Sequence, residues 1–224
     1  MRQKVIVVGG GIIGTSVAYY LSKKDIEVLL FEAKDIAAGT SGSCDKAIML
    51  QSKKTGPNLD LAMTSAKMFE NLELELGEDL EYHKGGGMIL IENEFEYKVI
   101  QEMVERQNHA GLGVSIITGE KARNRVPALS NKIIAATWWE EDAEINPISI
   151  TFAFAKAAQR QNATIKLNCE VQSLLIERNR IVGIKTDEGD FLQIVLLCVQ
   201  GFGLKNYSIQ FISMSLYFQG RGSF

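Results

Sequence analysis

The sequence predicts an α/β protein with a Rossmann-like parallel sheet, because a strand, a glycine-rich turn, a helix and a second strand follow one another within about thirty residues. Lys4–Val8 is a nearly continuous β-branched run, which is typical of a strand buried on both faces of a parallel sheet. Residues 15–23 carry apolar side chains at the spacing of one helical face, and Glu27–Phe31 is a second buried strand. The crossover between the two strands should be right-handed.

The later elements indicate that an α+β segment is inserted into this fold. A long amphipathic helix is predicted over 59–76, and Gly77 is placed to end it. Short elements then alternate: strands are predicted at 88–92, 114–118 and 133–139, and helices at 94–110 and 120–124. Pro147 opens a helix that runs to residue 158. Four strands, at 164–167, 171–177, 181–187 and 191–197, are predicted to return to the first domain.

Composition excludes several classes of function. The chain has 224 residues, of which 46% are apolar and 23% charged, so it is globular. Its net charge of -3, without a basic stripe, argues against a nucleic-acid partner. The three cysteines form no C-x-x-C pair, which argues against zinc and a disulfide framework and favours a reducing compartment. No apolar run is long enough for a secretory signal or a membrane span, and the predicted location is the cytoplasm.

The turn Gly9-Gly10-Gly11-Ile12-Ile13-Gly14 matches the dinucleotide-binding pattern G-x-G-x-x-G. Gly9 permits the tight turn, Gly11 lets a pyrophosphate approach the backbone, and Gly14 lets the helix pack against the strand. The N–H groups at Ile12 and Ile13 would face the diphosphate at the positive end of the helix dipole. Glu32 ends the second strand about twenty residues later, where it would accept hydrogen bonds from ribose hydroxyls and repel a 2′-phosphate.

The glycine motif fits NAD and FAD equally, and the next segment favours FAD. Glu32-Ala33 leads to the small-residue loop Gly39-Thr40-Ser41-Gly42-Ser43, directly after the second strand. Here the sequence resembles the D-amino-acid oxidase superfamily of FAD-dependent oxidoreductases, which includes glycine oxidase, the sarcosine oxidase β subunit and D-hydroxyproline dehydrogenase. The resemblance is carried by residues 5–14, Glu32, Gly39-Thr40-Ser41-Gly42, Gly85-Gly86-Gly87-Met88, Glu144-Ile145-Asn146-Pro147 and Asn168-Cys169-Glu170-Val171.

The resemblance implies how the chain would hold FAD. It places Thr40 and Ser41 near the phosphates and ribitol, and the backbone of Val171 at the adenine, although periodicity alone leaves Val171 equally well explained as a core valine. The predicted cofactor-binding residues are Gly9, Gly11, Ile12, Ile13, Gly14, Glu32, Ala33, Gly39, Thr40, Ser41 and Val171. Lys46 departs from the family, which has a small residue facing the flavin here; this lysine either favours a reduced, anionic flavin or points to solvent.

Other residues with chemical potential are interpreted as structural. His83 and His109 lack the partners of a hydrolytic triad and are predicted to lie on the surface. The acidic cluster at residues 140–144 has no accompanying histidine, so a solvated turn is favoured over a metal site. Trp138-Trp139 is interpreted as a core or interface pair rather than an active-site wall. The sequence assigns no catalytic residue and no metal ligand.

The resemblance implies oxidation of the amine of a small amino acid, such as glycine, sarcosine, a D-amino acid or a proline-like compound, to an imine. Hetero-oligomeric dehydrogenase subunits are the partner class that it implies. A non-catalytic dinucleotide-binding remnant is the alternative, and an NAD-binding dehydrogenase is disfavoured by the Gly39–Ser43 loop. The predicted domains are an FAD-binding domain in two parts, 1–80 and 146–198, a partial substrate domain at 81–145, and a tail at 199–224.

The tail is predicted to be a shifted reading frame that truncates the enzyme. The resemblance implies Ala-Gly, an aromatic residue and Ser after the last strand, where Val199-Gln200-Gly201-Phe202-Gly203 stands instead. Codons permitted for residues 199–205 can spell Ala-Gly-Val-Trp-Ser-Lys in a shifted frame, and those for 214–224 can spell a second family-like segment. A divergent but genuinely folded C-terminus is the alternative, and the coding DNA distinguishes the two.

Overall fold

The computed structural model describes residues 3–178, 180–192 and 195–198. The helices are α1 (Ile12–Ser22), α2 (Thr40–Ser43), α3 (Pro57–Phe69), α4 (Leu72–Leu76), α5 (Glu94–His109), α6 (Gly119–Arg125) and α7 (Pro147–Arg160). The strands are β1 (Lys4–Val8), β2 (Glu27–Phe31), β3 (Ala47–Ile48), β4 (His83–Lys84), β5 (Leu90–Ile91), β6 (Ser115–Thr118), β7 (Ala135–Trp138), β8 (Ala143–Glu144), β9 (Thr164–Lys166), β10 (Val171–Glu177), β11 (Arg180–Thr186), β12 (Gly189–Leu192) and β13 (Val195–Cys198).

The chain divides into two compact units. The first unit contains the described residues up to Cys44 and from Ile150 onward, and the second contains Asp45–Ser149. These limits differ from the predicted domain boundaries, which placed residues 45–80 with the nucleotide-binding part. The assignment of the domains to FAD and substrate binding stays a prediction.

The first unit is built on a four-stranded parallel sheet in the order β13-β1-β2-β9, which confirms the predicted α/β fold. Val5–Val8 of β1 are almost fully buried, as expected for a central strand. Val8 lies opposite Phe31 in the register of β1 and β2, so both strands end at the same edge of the sheet. This register places Gly9 and Glu32 side by side.

Strands β10, β11 and β12 form a separate antiparallel sheet in the first unit. A core cluster joins residues of this sheet to the ends of β1 and β2; its buried members are Ile6, Val8, Phe31, Cys169, Val171 and Ile184. All of the late strands thus lie in the first unit, as predicted, although only β9 and β13 join its parallel sheet. The predicted strand 191–197 is divided between β12 and β13.

The second unit contains two small antiparallel sheets, in the orders β3-β8-β4 and β5-β7-β6. Its apolar core gathers Leu50, Leu59, Val104, Leu112 and Val114 between helices α3 and α5. No described strand between residues 81 and 139 joins the parallel sheet, in agreement with the prediction that this segment lies outside the nucleotide-binding sheet.

The predicted helix 59–76 is interrupted. Helix α3 ends at Phe69, and α4 begins at Leu72 after Asn71 leaves the helical region. Gly77 ends α4 as predicted: it has the left-handed φ of 63°, and its N–H donates to the carbonyl of Glu73. Among the described residues no helix is both long and apolar enough to span a membrane.

Candidate cofactor-binding site

A cleft of about 900 Å³ opens in the first unit at the carboxyl ends of β1 and β2. It is lined by every predicted cofactor-binding residue except Gly14, which is buried within α1. Six further residues line the cleft that were not among the predicted cofactor-binding residues: Val8, Gly10, Phe31, Lys34, Ala38 and Cys169. Ligand sites of open α/β sheets lie at this edge, so the position of the cleft suits a nucleotide.

The glycine turn has the geometry that the motif requires. Gly9 has a φ of 115°, which only glycine adopts readily, and its N–H donates to the carbonyl of Phe31 at 2.8 Å. Gly11 precedes α1 with extended backbone, and a Cβ at this position would lie 3.0 Å from Oγ of Ser41. The missing side chain therefore keeps a narrow passage open between the turn and the Gly39–Ser43 loop.

Helix α1 directs its N-terminus into the cleft. The N–H of Ile12 donates to Oγ of Ser41 at 3.0 Å, so this hydroxyl sits at the positive end of the helix dipole. Because the hydroxyl accepts there, it keeps its own proton to donate. Ile13 follows on an exposed face of the helix. Anions bind well at such a helix end.

Glu32 is held in place by the backbone. Its Oε2 accepts the N–H of Gly10 at 2.7 Å, and its Oε1 accepts the N–H of Lys34 at 2.9 Å. An ionised carboxylate has about four lone-pair sites, so it can accept two more hydrogen bonds. The sequence predicted a ribose acceptor at this position; the structure adds that two backbone donors orient it.

The segment between β9 and β10 closes one side of the cleft. The N–H of Asn168 donates to the carbonyl of Lys34, and the N–H of Cys169 donates to that of Glu32, each at 3.0 Å. Val171 is buried in the core and also lines the cleft, so the core and the cofactor interpretations of this residue are compatible. Burial raises the pKa of the Cys169 thiol, which therefore stays protonated and is a poor nucleophile.

In the second unit, Lys46 forms an ion pair. Its Nζ lies 3.6 Å from Oε2 of Glu81, and both side chains are about half exposed. Lys46 is thus exposed, which agrees with the alternative that it points to solvent, and its ion pair with Glu81 was not predicted. His83 and His109 are exposed as predicted.

The interpretation of the acidic cluster as a solvated turn was wrong for Asp142, which is fully buried. Its Oδ1 accepts the N–H of Leu50 at 2.8 Å, and its Oδ2 accepts Nε2 of Gln51 at 2.6 Å. Burial raises the pKa of Asp142, against the opposing effect of these hydrogen bonds and the charge of Lys53. The local sequence does not predict the burial of Asp142, because its hydrogen-bond partners lie some ninety residues away.

A parallel sheet, a glycine turn that opens a helix, and an oriented carboxylate at the end of the second strand together define a dinucleotide-binding α/β protein. The chain belongs to the DAO family of FAD-dependent oxidoreductases, whose family model matches residues 4–204. FAD is the cofactor of this family.

Similar proteins include enzymes and one protein named as a regulator. Glycine oxidase of Bacillus subtilis is 30% identical over 198 residues, which cover 84% of this chain and 51% of the enzyme. The mitochondrial pyruvate dehydrogenase phosphatase regulatory subunit of Mus musculus is 29% identical over 84% of this chain and 22% of its own length. The crystal structure of L-proline dehydrogenase from P. horikoshii superposes with a TM-score of 0.83 at 29% identity, over 89% of this chain and 53% of that chain. The chain thus spans from about a fifth to about half the length of these relatives.

Proposed function

We propose that this chain binds FAD in the cleft and supplies the cofactor-binding part of an oxidoreductase that converts the amine of a small amino acid to an imine. Glycine, sarcosine, a D-amino acid and a proline-like compound are the candidate substrates. The family and the relatives named glycine oxidase and L-proline dehydrogenase support this reaction class. The observation that carries the proposal is the cleft itself, which brings the glycine turn, the N-terminus of α1 and the carboxylate of Glu32 to one edge of the sheet.

The residues of the cleft suit the parts of FAD. Gly9 and Gly11 leave the turn free of side chains, and the N-terminus of α1 with the hydroxyl of Ser41 offers hydrogen-bond donors to a diphosphate. Glu32 offers acceptors to ribose hydroxyls, and the segment containing Val171 would border the adenine. Bound flavin supplies a hydride acceptor, while the protein supplies orientation and electrostatics. The proposal assigns no catalytic residue.

Anaerobic absorption spectra of the purified chain test the proposal directly. The chain should retain or take up FAD, and bleaching of the visible flavin absorbance by one of a panel of small amino acids would establish the oxidation. A chain that binds no FAD would refute the site, and FAD binding without bleaching by any amine would refute the oxidation.

Two glycine variants control for folding in this experiment. Gly11→Ala places a methyl 3.0 Å from Oγ of Ser41, whereas the methyl of Gly113→Ala has its nearest neighbour at 3.7 Å, an ordinary contact. Gly11→Ala should therefore lower FAD affinity, and Gly113→Ala should leave it unchanged. Equal affinities in the two variants would contradict the assignment of Gly11 to the cofactor.

A non-catalytic dinucleotide-binding role is the second candidate function. The similarity to a protein named as a regulatory subunit supports it, because that name describes regulation rather than oxidation. The two candidates share the FAD site and differ in turnover. Stable FAD binding with no reduction by any amine would favour this second function.

A further inference from the structure

Lys34 is the only cationic side chain among the described residues that line the cleft. Glu32 is the only carboxylate among them, and the whole chain carries a net charge of -3. A diphosphate brings two further negative charges to this edge. Without a cation the cleft would therefore repel its proposed ligand at long range.

The backbone of Lys34 is fixed on both sides. Its N–H donates to Oε1 of Glu32 at 2.9 Å, and its carbonyl accepts the N–H of Asn168 at 3.0 Å. These two hydrogen bonds hold the backbone of the residue, and its side chain is exposed at the border of the cleft. Among the described residues no carboxylate forms an ion pair with its ammonium group.

We propose that Lys34 is an affinity-determining residue that supplies the positive charge for a diphosphate and so makes the cleft prefer phosphorylated adenine nucleosides. This inference rests on the proposed function, because it takes the cleft to be the FAD site. The lysine acts by its charge and not by a fixed contact, since a flexible ammonium stem on an exposed side chain is not preorganised. Its effect should therefore weaken as salt screens it.

The size of the effect follows from screening. Opposite unit charges about 10 Å apart in water change a binding constant by roughly a factor of two at low ionic strength, where the Debye length is about 30 Å. With two charges on the diphosphate, loss of the cation should weaken binding roughly two- to fivefold at low ionic strength. At high salt the difference should nearly disappear.

Calorimetric titration of the full chain with FAD, ADP and adenosine tests the proposal. Lys34→Gln should weaken FAD at low salt and weaken ADP at least as much, because the terminal phosphate of ADP carries additional charge, and it should leave adenosine unchanged, because adenosine has no phosphate. Lys34→Arg should bind all three ligands as wild type does. Lys24→Gln is the matched control, since Lys24 is an exposed lysine of the first unit that lies outside the cleft lining.

The outcomes separate this inference from the function on which it rests. If wild type binds neither FAD nor ADP, the proposed function fails and the inference falls with it. If wild type binds FAD and Lys34→Gln binds it equally well at low salt, only the inference is overturned. An equal loss for adenosine, or a loss that persists at high salt, would also overturn it, because either result indicates a direct contact with the nucleoside.

Discussion

Replacing Thr137 by Val should destabilise the second unit strongly, because one buried hydroxyl connects three distant segments. The hydroxyl of Thr137 accepts the N–H of Ile89 at 2.8 Å and donates to Oε1 of Gln51. Gln51 in turn donates to Asp142, and the side chains of all three are fully buried. The backbone N–H of Ile89 can only donate and the carboxylate of Asp142 accepts, so these two ends determine which group donates in each hydrogen bond between them.

Valine keeps the shape of threonine but can neither accept nor donate. The substitution leaves the N–H of Ile89 and the Oε1 of Gln51 without their partner, and each buried unpaired group costs about 1–3 kcal/mol. We therefore expect the free energy of unfolding to fall by about 2–6 kcal/mol. Such a loss is large beside the total stability of a typical domain.

Urea unfolding followed by tryptophan fluorescence measures this loss. The two tryptophans of the chain, Trp138 and Trp139, both lie in the second unit, so their emission reports on the unit that the substitution affects. Thr64→Val is the matched control: Thr64 is exposed on α3 of the same unit and donates to the carbonyl of Asp60 at 2.9 Å. It should change stability by less than about 0.5 kcal/mol. Equal unfolding midpoints for the two variants would refute the reasoning.

Three further predictions concern the first unit and the buried carboxylate of Asp142. Gly42→Ala should destabilise the first unit by about 1–3 kcal/mol, because its methyl would lie 2.2 Å from the carbonyl oxygen of Ala37; an unchanged thermal melt would contradict this. Glu32→Ala should weaken FAD binding by about 1–3 kcal/mol through loss of the ribose acceptor, and calorimetry that shows wild-type affinity would contradict it. Burial raises the pKa of Asp142 in the folded chain above its value in the unfolded chain, so proton binding favours the folded state. This stabilisation is complete below the ordinary carboxyl pKa and is lost as pH rises through the raised value. Urea unfolding across that interval should show wild type losing stability relative to Asp142→Asn, whereas a constant difference would exclude the linkage.

The sequence alone predicts the elements that have a strong local pattern. Strands β1 and β2 begin and end where predicted, and α5 differs by one residue at its end. The glycine turn and Glu32 could be placed together because parallel strands bring their carboxyl ends to one edge. Helix α1 begins three residues before the prediction, because Gly11 provides no side-chain cap that would mark the start.

Features that depend on distant partners could not be predicted in the same way. Strands β3, β4 and β8 have two residues each and exist only because they pair with one another. The burial of Asp142 depends on donors near residue 50, and the hydrogen bonds that orient Glu32 come from Gly10 and Lys34 rather than from its own strand. The reading-frame prediction for residues 199–224 lies outside the described residues and stays a prediction.

The parallel sheet of the first unit takes its strands from widely separated parts of the chain, and this has a consequence for folding. β1 and β2 are complete by Phe31, but their neighbours β9 and β13 are not synthesised until after the whole of the second unit, Asp45–Ser149. The second unit is continuous in sequence and can therefore fold as it leaves the ribosome, whereas the apolar strands β1 and β2 must wait for their partners. Closing so long a loop is slow, and the waiting strand edges are prone to wrong pairing. The first unit should thus be the last part of the chain to acquire its structure, although its glycine-rich turn is synthesised before the second unit.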